Sequence, residues 1–356
     1  MDRATVQRYE QRGAEWAARR RPVRRDDALA FGRGVPDGEV RLDVGAGAGR
    51  YTAELGRPVV ALEAAHAMLG LLGDEVPWAL RVQADLEALP LRRAAAGGAW
   101  ANMSYHHVPR VRLPAALADL HRSLRVGSPV DVQVVYGSYE GHALPEDDIG
   151  GRFFASWEPG DLVDVVTGAG FSVQAVSVEG DRHDVVRVAA RRERTLADTV
   201  GPGLRLLVCG LNPSLYAADC GIGFARPGNR FWPAALAAGL VSRDRDPAHA
   251  LRHHGIGMTD LCKRATTAAH ELSTAEYRAG CERVERLVRW LRPGAVCFVG
   301  LAGWRAAVDR SARPGPQAAG FGGRPAYVMP STSGLNARCP LPDLVAHLRA
   351  AAGLAS

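Results

Sequence analysis

A two-domain α/β fold is predicted by chain length, by a partition of charge and by two copies of one local pattern. The 356 residues exceed what a single core usually holds, at roughly 100–200 residues per domain. Residues 1–193 carry 24 Arg against 27 Asp and Glu, net −3, whereas residues 194–356 carry 20 Arg and Lys against 11 acids, net +9. The local pattern is a short run that reads as a buried strand and ends in a Gly-rich turn. It occurs at residues 40–44 before Gly45-Ala46-Gly47-Ala48-Gly49, and at residues 204–209 before Gly210-Leu211-Asn212-Pro213-Ser214. A buried strand feeding such a loop and then a helix is the building unit of open α/β sheets. The expected domains are 1–193 and 194–356, divided between the charged patch 191–194 and the turn Gly201-Pro202-Gly203.

Composition narrows the class. Lys263 is the only lysine, a bias that reflects coding-sequence composition in an Ala- and Gly-rich chain more than function. All six cysteines lie in the second half, none in a CxxC pair or at zinc spacing, so no metal site is expected and the thiols read as reduced, as in the cytoplasm. The N-terminus opens a charged helical segment without the apolar core of a signal peptide. No apolar run reaches the roughly 18–20 residues that span a bilayer, so no membrane partner is expected, and the chain reads as a monomer. The basic second half suits a phosphate-backbone partner.

In the first half, residues 40–44 form the opening strand, and Gly45, Gly47 and Gly49 let backbone approach a ligand before a helix through residues 52–55. A second strand, 59–62, ends at Glu63, and a third, 80–84, at Asp85. Residues 99–104 and 130–135, with a closing hairpin of 171–178 and 184–190 around Gly180-Asp181, supply the remaining strands. Leu42-Asp43-Val44-Gly45-Ala46-Gly47-Ala48-Gly49-Arg50 with Glu63 and Asp85 resembles class I methyltransferases over about residues 9–190. The resemblance implies a Rossmann-like domain that binds S-adenosylmethionine through Asp43, Gly45, Gly47 and Gly49. It sets Glu63 on the ribose and Asp85 beside the adenine amine. The acidic-aromatic step that such enzymes carry before the fourth strand is replaced here by Ala94-Ala95-Ala96-Gly97-Gly98. Tyr105-His106-His107 lies where the family places a substrate-facing segment. Packing of a helix on the sheet is the favoured reading of this pair, with a general base as the alternative. No acceptor motif of the cytosine or amino methyltransferases is present, so the methyl acceptor is left open.

The second half carries Gly210-Leu211-Asn212-Pro213-Ser214, then Gly223-Phe224-Ala225-Arg226-Pro227-Gly228-Asn229-Arg230-Phe231-Trp232. Further on comes Ser331-Thr332-Ser333-Gly334-Leu335-Asn336-Ala337-Arg338, after a strand at 326–329. Together they resemble the mismatch-specific uracil/thymine-DNA glycosylases over roughly residues 194–352. The resemblance implies a uracil-DNA-glycosylase-like α/β/α fold, with a four- or five-stranded mostly parallel sheet and both motifs at strand carboxyl ends. It makes Asn212 the residue that positions water, Gly210 and Phe224 the pocket for a flipped pyrimidine, and Ser333, Gly334, Leu335 and Arg338 the loop that enters DNA. Two alignments compete for the intercalating plug, Leu335 or Arg338, and the ungapped register favours Leu335. Asn229 reads as a helix cap, Arg226 and Arg230 as phosphate contacts or exposed charges, and Ser273 as a cap closed by Glu276.

The function expected is excision of uracil, or thymine, mispaired in double-stranded DNA. The excising domain is expected to need no cofactor and is fused to a domain that uses S-adenosylmethionine. The competing readings are a methyltransferase of RNA, protein or a small molecule with a DNA-binding module behind it, and a non-catalytic sensor of S-adenosylmethionine that binds mismatches.

Overall fold

The computed structural model describes residues 1–180, 184–336 and 338–355. The chain divides into two compact units, one made of Met1–Thr167 and Phe171–Glu193, the other of Gly168–Gly170 and Arg194–Ser356.

In the first unit, α1 (Arg3–Arg19) and α2 (Arg25–Gly34) precede β1 (Arg41–Val44) and β2 (Val59–Glu63). Then come α3 (His66–Glu75), β3 (Leu80–Gln83), β4 (Gly98–Asn102), α4 (Leu113–Ser123) and β5 (Pro129–Val135). Two short strands, β6 (Glu140–Gly141) and β7 (Phe154–Ala155), pair with each other. After α5 (Pro159–Gly168), β8 (Phe171–Glu179) and β9 (Val185–Arg192) close the sheet. The order is β3-β2-β1-β4-β5-β9-β8, with β1 parallel to both β2 and β4, and β9 antiparallel to β5 and β8. All four residues of β1 are buried, the charged Arg41 and Asp43 included. The chain passes to opposite sides of β1 on leaving it, so a crevice opens at the carboxyl ends of β1 and β4.

Two local expectations change. Residues 47–55 form successive turns rather than a helix, because Gly47 and Gly49 adopt φ of +57° and +81° and interrupt the helical hydrogen-bond ladder. Asp181, expected in the closing turn, lies outside the described residues.

The second unit contains β10 (Leu206–Gly210), α6 (Leu215–Cys220), α7 (Phe231–Ala237), α8 (Pro247–His254) and β11 (Ile256–Asp260). These are followed by α9 (Thr274–Leu291), β12 (Ala295–Val299), α10 (Leu301–Ala307), β13 (Gly315–Phe321), β14 (Arg324–Met329) and α11 (Leu341–Gly353). The sheet order is β11-β10-β12-β14-β13, parallel except for β13. Alternate residues of β10 serve two cores. Leu206 and Val208 pack with Phe231, Trp232 and α11 on one side, and Leu207 and Cys209 with Val284, Val288 and Trp304 on the other. Ser273 caps α9, its Oγ accepting from Glu276 N while Glu276 returns a bond to Ser273 N, as expected of that pair. All six cysteines are free thiols. No helix among the described residues is long and apolar enough to cross a membrane.

Candidate functional site

In the second unit the end of β10 is the centre of the geometry. Gly210 pairs in register with Asp260 of β11, and Leu261 N and Cys262 N continue the pairing by donating to Gly210 O and Leu211 O. This extension brings residues 264–266 beside Asn212. The Asn212 Nδ2 donates to Arg264 O at 3.0 Å, Pro213 O at 3.2 Å and Thr266 Oγ1 at 2.8 Å. Carbonyl oxygens only accept, so the amide nitrogen must face them and Oδ1 must face away. Among the described residues no group donates to Oδ1. Pro213 then leads into α6, which Ser214 caps through Ala217 N.

Phe224 sits at φ +58°, with one face stacked on Phe231 at 4.3 Å between ring centroids. A Cβ added at Gly210 would lie 2.4 Å from Asp260 Oδ1 and 3.3 Å from Phe224 Cζ, so these three residues meet only because position 210 lacks a side chain. Thr199, Gly223, Phe224, Met258, Thr259 and Asp260 line a cavity of about 20 Å³. Burial pushes the Asp260 carboxyl up to about 6, although Lys263 and Arg283 pull it down, and none of the described groups bonds to it.

Behind it lies a buried ionic cluster. Asp198 accepts from Thr259 Oγ1 at 2.7 Å, Lys263 Nζ at 2.9 Å and Arg283 Nη1 at 2.9 Å, and Arg283 Nη2 reaches Asp260 O at 2.8 Å. The cluster anchors the end of β11 that carries Asp260.

The loop after β14 is held by Arg230, whose guanidinium donates to the carbonyls of Cys339 (2.6 Å), Asn336 (2.7 Å) and Ser333 (3.2 Å). With three carbonyls bound, Arg230 shapes the loop instead of standing free for phosphate. Gly334 approaches Gly228 O so closely that a Cβ would lie 2.8 Å away, which ties this loop to the segment carrying Phe224. Leu335 projects from the tip with 88% of its surface exposed, and Arg338 is also exposed. Ala337 lies outside the described residues. Asn229 Oδ1 accepts from Phe231 N at 2.9 Å, a cap displaced by one residue because Arg230 takes the first flanking position of α7.

In the first unit, Gly45 N and Ala46 N donate to Leu62 O, and Gly47 N donates to Glu63 Oε2 at 2.9 Å. Ala64 N and Ala65 N bond the other Glu63 oxygen at 2.8 and 3.0 Å. The glycine loop and Glu63 are thus joined directly. Asp43 is buried, accepts from Thr52 Oγ1 at 2.6 Å, and is pushed up to about 7 by burial. Asp85 is half exposed and lies 2.5 Å from the Met1 amine. Neighbouring side chains demand two of the glycines, since a Cβ at Gly45 would meet Ser104 Cβ at 2.3 Å and one at Gly49 would meet Leu72 Cγ at 2.7 Å.

Residues 197–348 match the family model described as Uracil DNA glycosylase superfamily, and residues 42–130 match that described as Methyltransferase domain. The chain joins a methyltransferase domain to a domain of the uracil DNA glycosylase superfamily. Similar solved structures include the 1,6-didemethyltoxoflavin-N1-methyltransferase of Burkholderia thailandensis, at 22% identity over 53% of this chain and 88% of that one, with a TM-score of 0.42. A TehB-like SAM-dependent methyltransferase of Corynebacterium glutamicum is 18% identical over 54% and 100%, with a TM-score of 0.40. An S-adenosylmethionine-dependent methyltransferase of Mesorhizobium loti is 19% identical over 47% and 100%, with a TM-score of 0.38.

Sequence reasoning picked out the strand-end residues of the glycosylase domain and missed Asp260. A lone Asp at the end of an apolar run carries no motif signal, and only its register beside Gly210 brings it to the cavity. In the methyltransferase domain it likewise missed Tyr9 and Arg152, which the fold brings against the His106–His107 pair from distant parts of the chain.

Proposed function

We propose that the glycosylase domain flips uracil, or thymine, mispaired in duplex DNA and excises it by hydrolysis, and that the methyltransferase domain binds S-adenosylmethionine. The observation that carries the first part is the amide of Asn212, whose nitrogen is held by three acceptors while its oxygen is left outward at the strand end beside Phe224. An amide is no base at neutral pH, so Oδ1 orients a water toward the sugar carbon as the glycosidic bond breaks, and positioning supplies the rate. Phe224 stacks on the flipped pyrimidine, and Asp260 offers an acceptor to its ring N–H. No lysine lies in either motif, so cleavage proceeds without a Schiff base or strand scission. Release of free uracil from a U·G duplex by the full chain is the direct assay, and its absence would remove this reading.

Leu335 fills the gap left by the flipped nucleotide. A single strand has no gap to fill, so Leu335→Ala should slow duplex excision about tenfold or more while leaving single-stranded excision within about twofold. If Arg338 is the plug, Arg338→Ala shows that pattern instead, with a shallower salt dependence. Equal losses on both substrates in single-turnover assays would show that the loop only shapes the pocket.

The residues of the methyltransferase domain fit S-adenosylmethionine. The Glu63 carboxylate accepts three backbone N–H bonds out of about four that it can take, which fixes its orientation and leaves capacity for one ribose hydroxyl. Asn102 Oδ1 and Ser104 Oγ are buried without a partner among the described residues, at the carboxyl end of β4 beside the glycine loop. The loop of Gly45, Gly47 and Gly49 would hold the methionine end, Glu63 the ribose and Asp85 the adenine amine. When bound, the group supplies an electrophilic methyl. Glu63→Ala should weaken S-adenosylmethionine binding roughly tenfold to a hundredfold by calorimetry, and unchanged affinity in a folded variant would withdraw the assignment.

A further inference from the structure

One buried cluster in the methyltransferase domain is unused by the reading above. His106 and His107 occupy a short turn at Tyr105–His107, each 3% exposed. Tyr9 of α1 and Arg152 from the loop before β7 close over them. The bonds among these groups fix every proton. Phe153 O lies 2.6 Å from His107 Nδ1 and can only accept, so His107 carries its proton there. Burial pushes His107 down to about 4, so the ring is neutral and its Nε2 is bare. Arg152 Nη1 donates to Tyr9 Oη at 2.8 Å, and Tyr9 in turn donates to His107 Nε2 at 3.0 Å. His106 Nε2 lies 3.1 Å from that same nitrogen, where two bare nitrogens would repel, so His106 carries its proton there and shares the His107 lone pair with the Tyr9 hydroxyl. Burial, then His107, Arg152 and Arg20, hold His106 well below the usual imidazole range, so it is neutral and its Nδ1 carries the bare lone pair. That Nδ1 is buried and has no partner among the described residues.

The ring is also held in place. It stacks on Phe154 at 5.2 Å with an interplanar angle of 25°. Its neighbours in the turn, Ser104 Oγ and Tyr105 Oη, are likewise buried and unpartnered, and Ser104 abuts Gly45 of the glycine loop. Buried polar atoms are nearly always satisfied, so a group of orphans just past the carboxyl end of the central strand β4 marks a place where a ligand completes the bonding. The Arg152 guanidinium is already engaged by Asp147, Asp148 and Tyr9, so it offers no spare charge to an anion. His106 Nδ1 lies below the surface, which favours a small molecule over a polymer.

We infer that His106, its tautomer set by the chain Phe153–His107–Tyr9–Arg152, is the proton-accepting residue of a methyl-acceptor site for a small, uncharged molecule with a weakly acidic O–H or ring N–H, such as a phenol or a nitrogen heterocycle. This rests on the methyltransferase reading and names its substrate class. The acceptor's oxygen or nitrogen forms its bond to the methyl carbon of a sulfonium donor as the C–S bond breaks, the sulfur keeps that electron pair, and the acceptor's proton passes to His106 Nδ1. His107, Tyr9 and Arg152 are positioning residues.

The test uses the full chain with nitrogen-labelled histidine, loaded with S-adenosylhomocysteine and titrated with para-nitrophenol and benzimidazole, with para-nitroanisole as a control lacking the proton. The unliganded chain should show His106 as the neutral Nε2–H tautomer from pH 5 to 8. Either acidic probe should shift its Nδ1 resonance saturably, and para-nitroanisole should not. With S-adenosylmethionine, His106→Asn should lower methyl transfer to a responding probe by about a hundredfold or more while its binding changes less than about threefold, since an amide still accepts a hydrogen bond but not a proton. An Nδ1–H tautomer, ordinary titration near neutral pH, no shift with either acidic probe, or an equal shift with para-nitroanisole would each overturn the proposal. Calorimetry with S-adenosylmethionine separates the two levels. Retained affinity with no probe response removes the acceptor site alone, whereas absent affinity removes the methyltransferase reading with it.

Discussion

Asn212→Ala is expected to lower single-turnover excision of uracil from a U·G duplex by about a hundredfold to a thousandfold, the cost of losing one preorganised polar group at a reacting centre. Mismatch binding in the same variant should change little. In the proposed mechanism water positioning acts in the transition state, whereas DNA binding would draw on the basic surface, the Phe224 stack and the loop at Leu335. The geometry offers a second substitution that refines the result. Thr266→Val removes the hydroxyl that accepts from Asn212 Nδ2 but leaves the carbonyls of Arg264 and Pro213, so it should give a smaller loss of the same kind. A wild-type rate in Asn212→Ala would take this residue out of the mechanism.

Asp198→Ala should destabilise the glycosylase domain by about 3–5 kcal/mol in urea unfolding, because it strips the carboxylate from two cations already removed from water. The side chain of Arg283 is 7% exposed and that of Lys263 13%, and Asp198 is the only carboxylate bonded to either among the described residues. The same cluster sets a pH dependence. Burial alone would raise the Asp198 carboxyl, but Arg283 and Lys263 outweigh it and hold the group below its ordinary value of 3.8. A depressed carboxyl contributes its full stability above the ordinary value, and that contribution is lost as pH falls through the lower folded value. Acid unfolding of the wild type below about pH 4 should therefore be steeper than that of Asp198→Asn. Matching stability of the alanine variant and the wild type would show that the cluster contributes nothing net.

The sequence by itself determined the two domains' types, the α/β class and the strand-end position of both motifs. These rest on local chemistry, in that a short run followed directly by a Gly-rich turn reads as a buried strand and the start of its connection. Ser273 with Glu276 was legible for the same reason, since a capping box is complete within four residues. Only the tertiary structure decided what depends on partners remote in sequence. Arg230 looked like a free cation until three carbonyls of residues 333–339 were seen to surround it. Asp260 had no motif, and entered the site through strand register opposite Gly210. The histidine pair read as packing because the acceptor that fixes its protons, Phe153 O, and the groups that complete the chain, Tyr9 and Arg152, lie 46, 98 and 143 positions apart in the bonds that join them. A tautomer is set by whichever donors and acceptors the fold brings within about 3 Å, and no spacing along the chain encodes that.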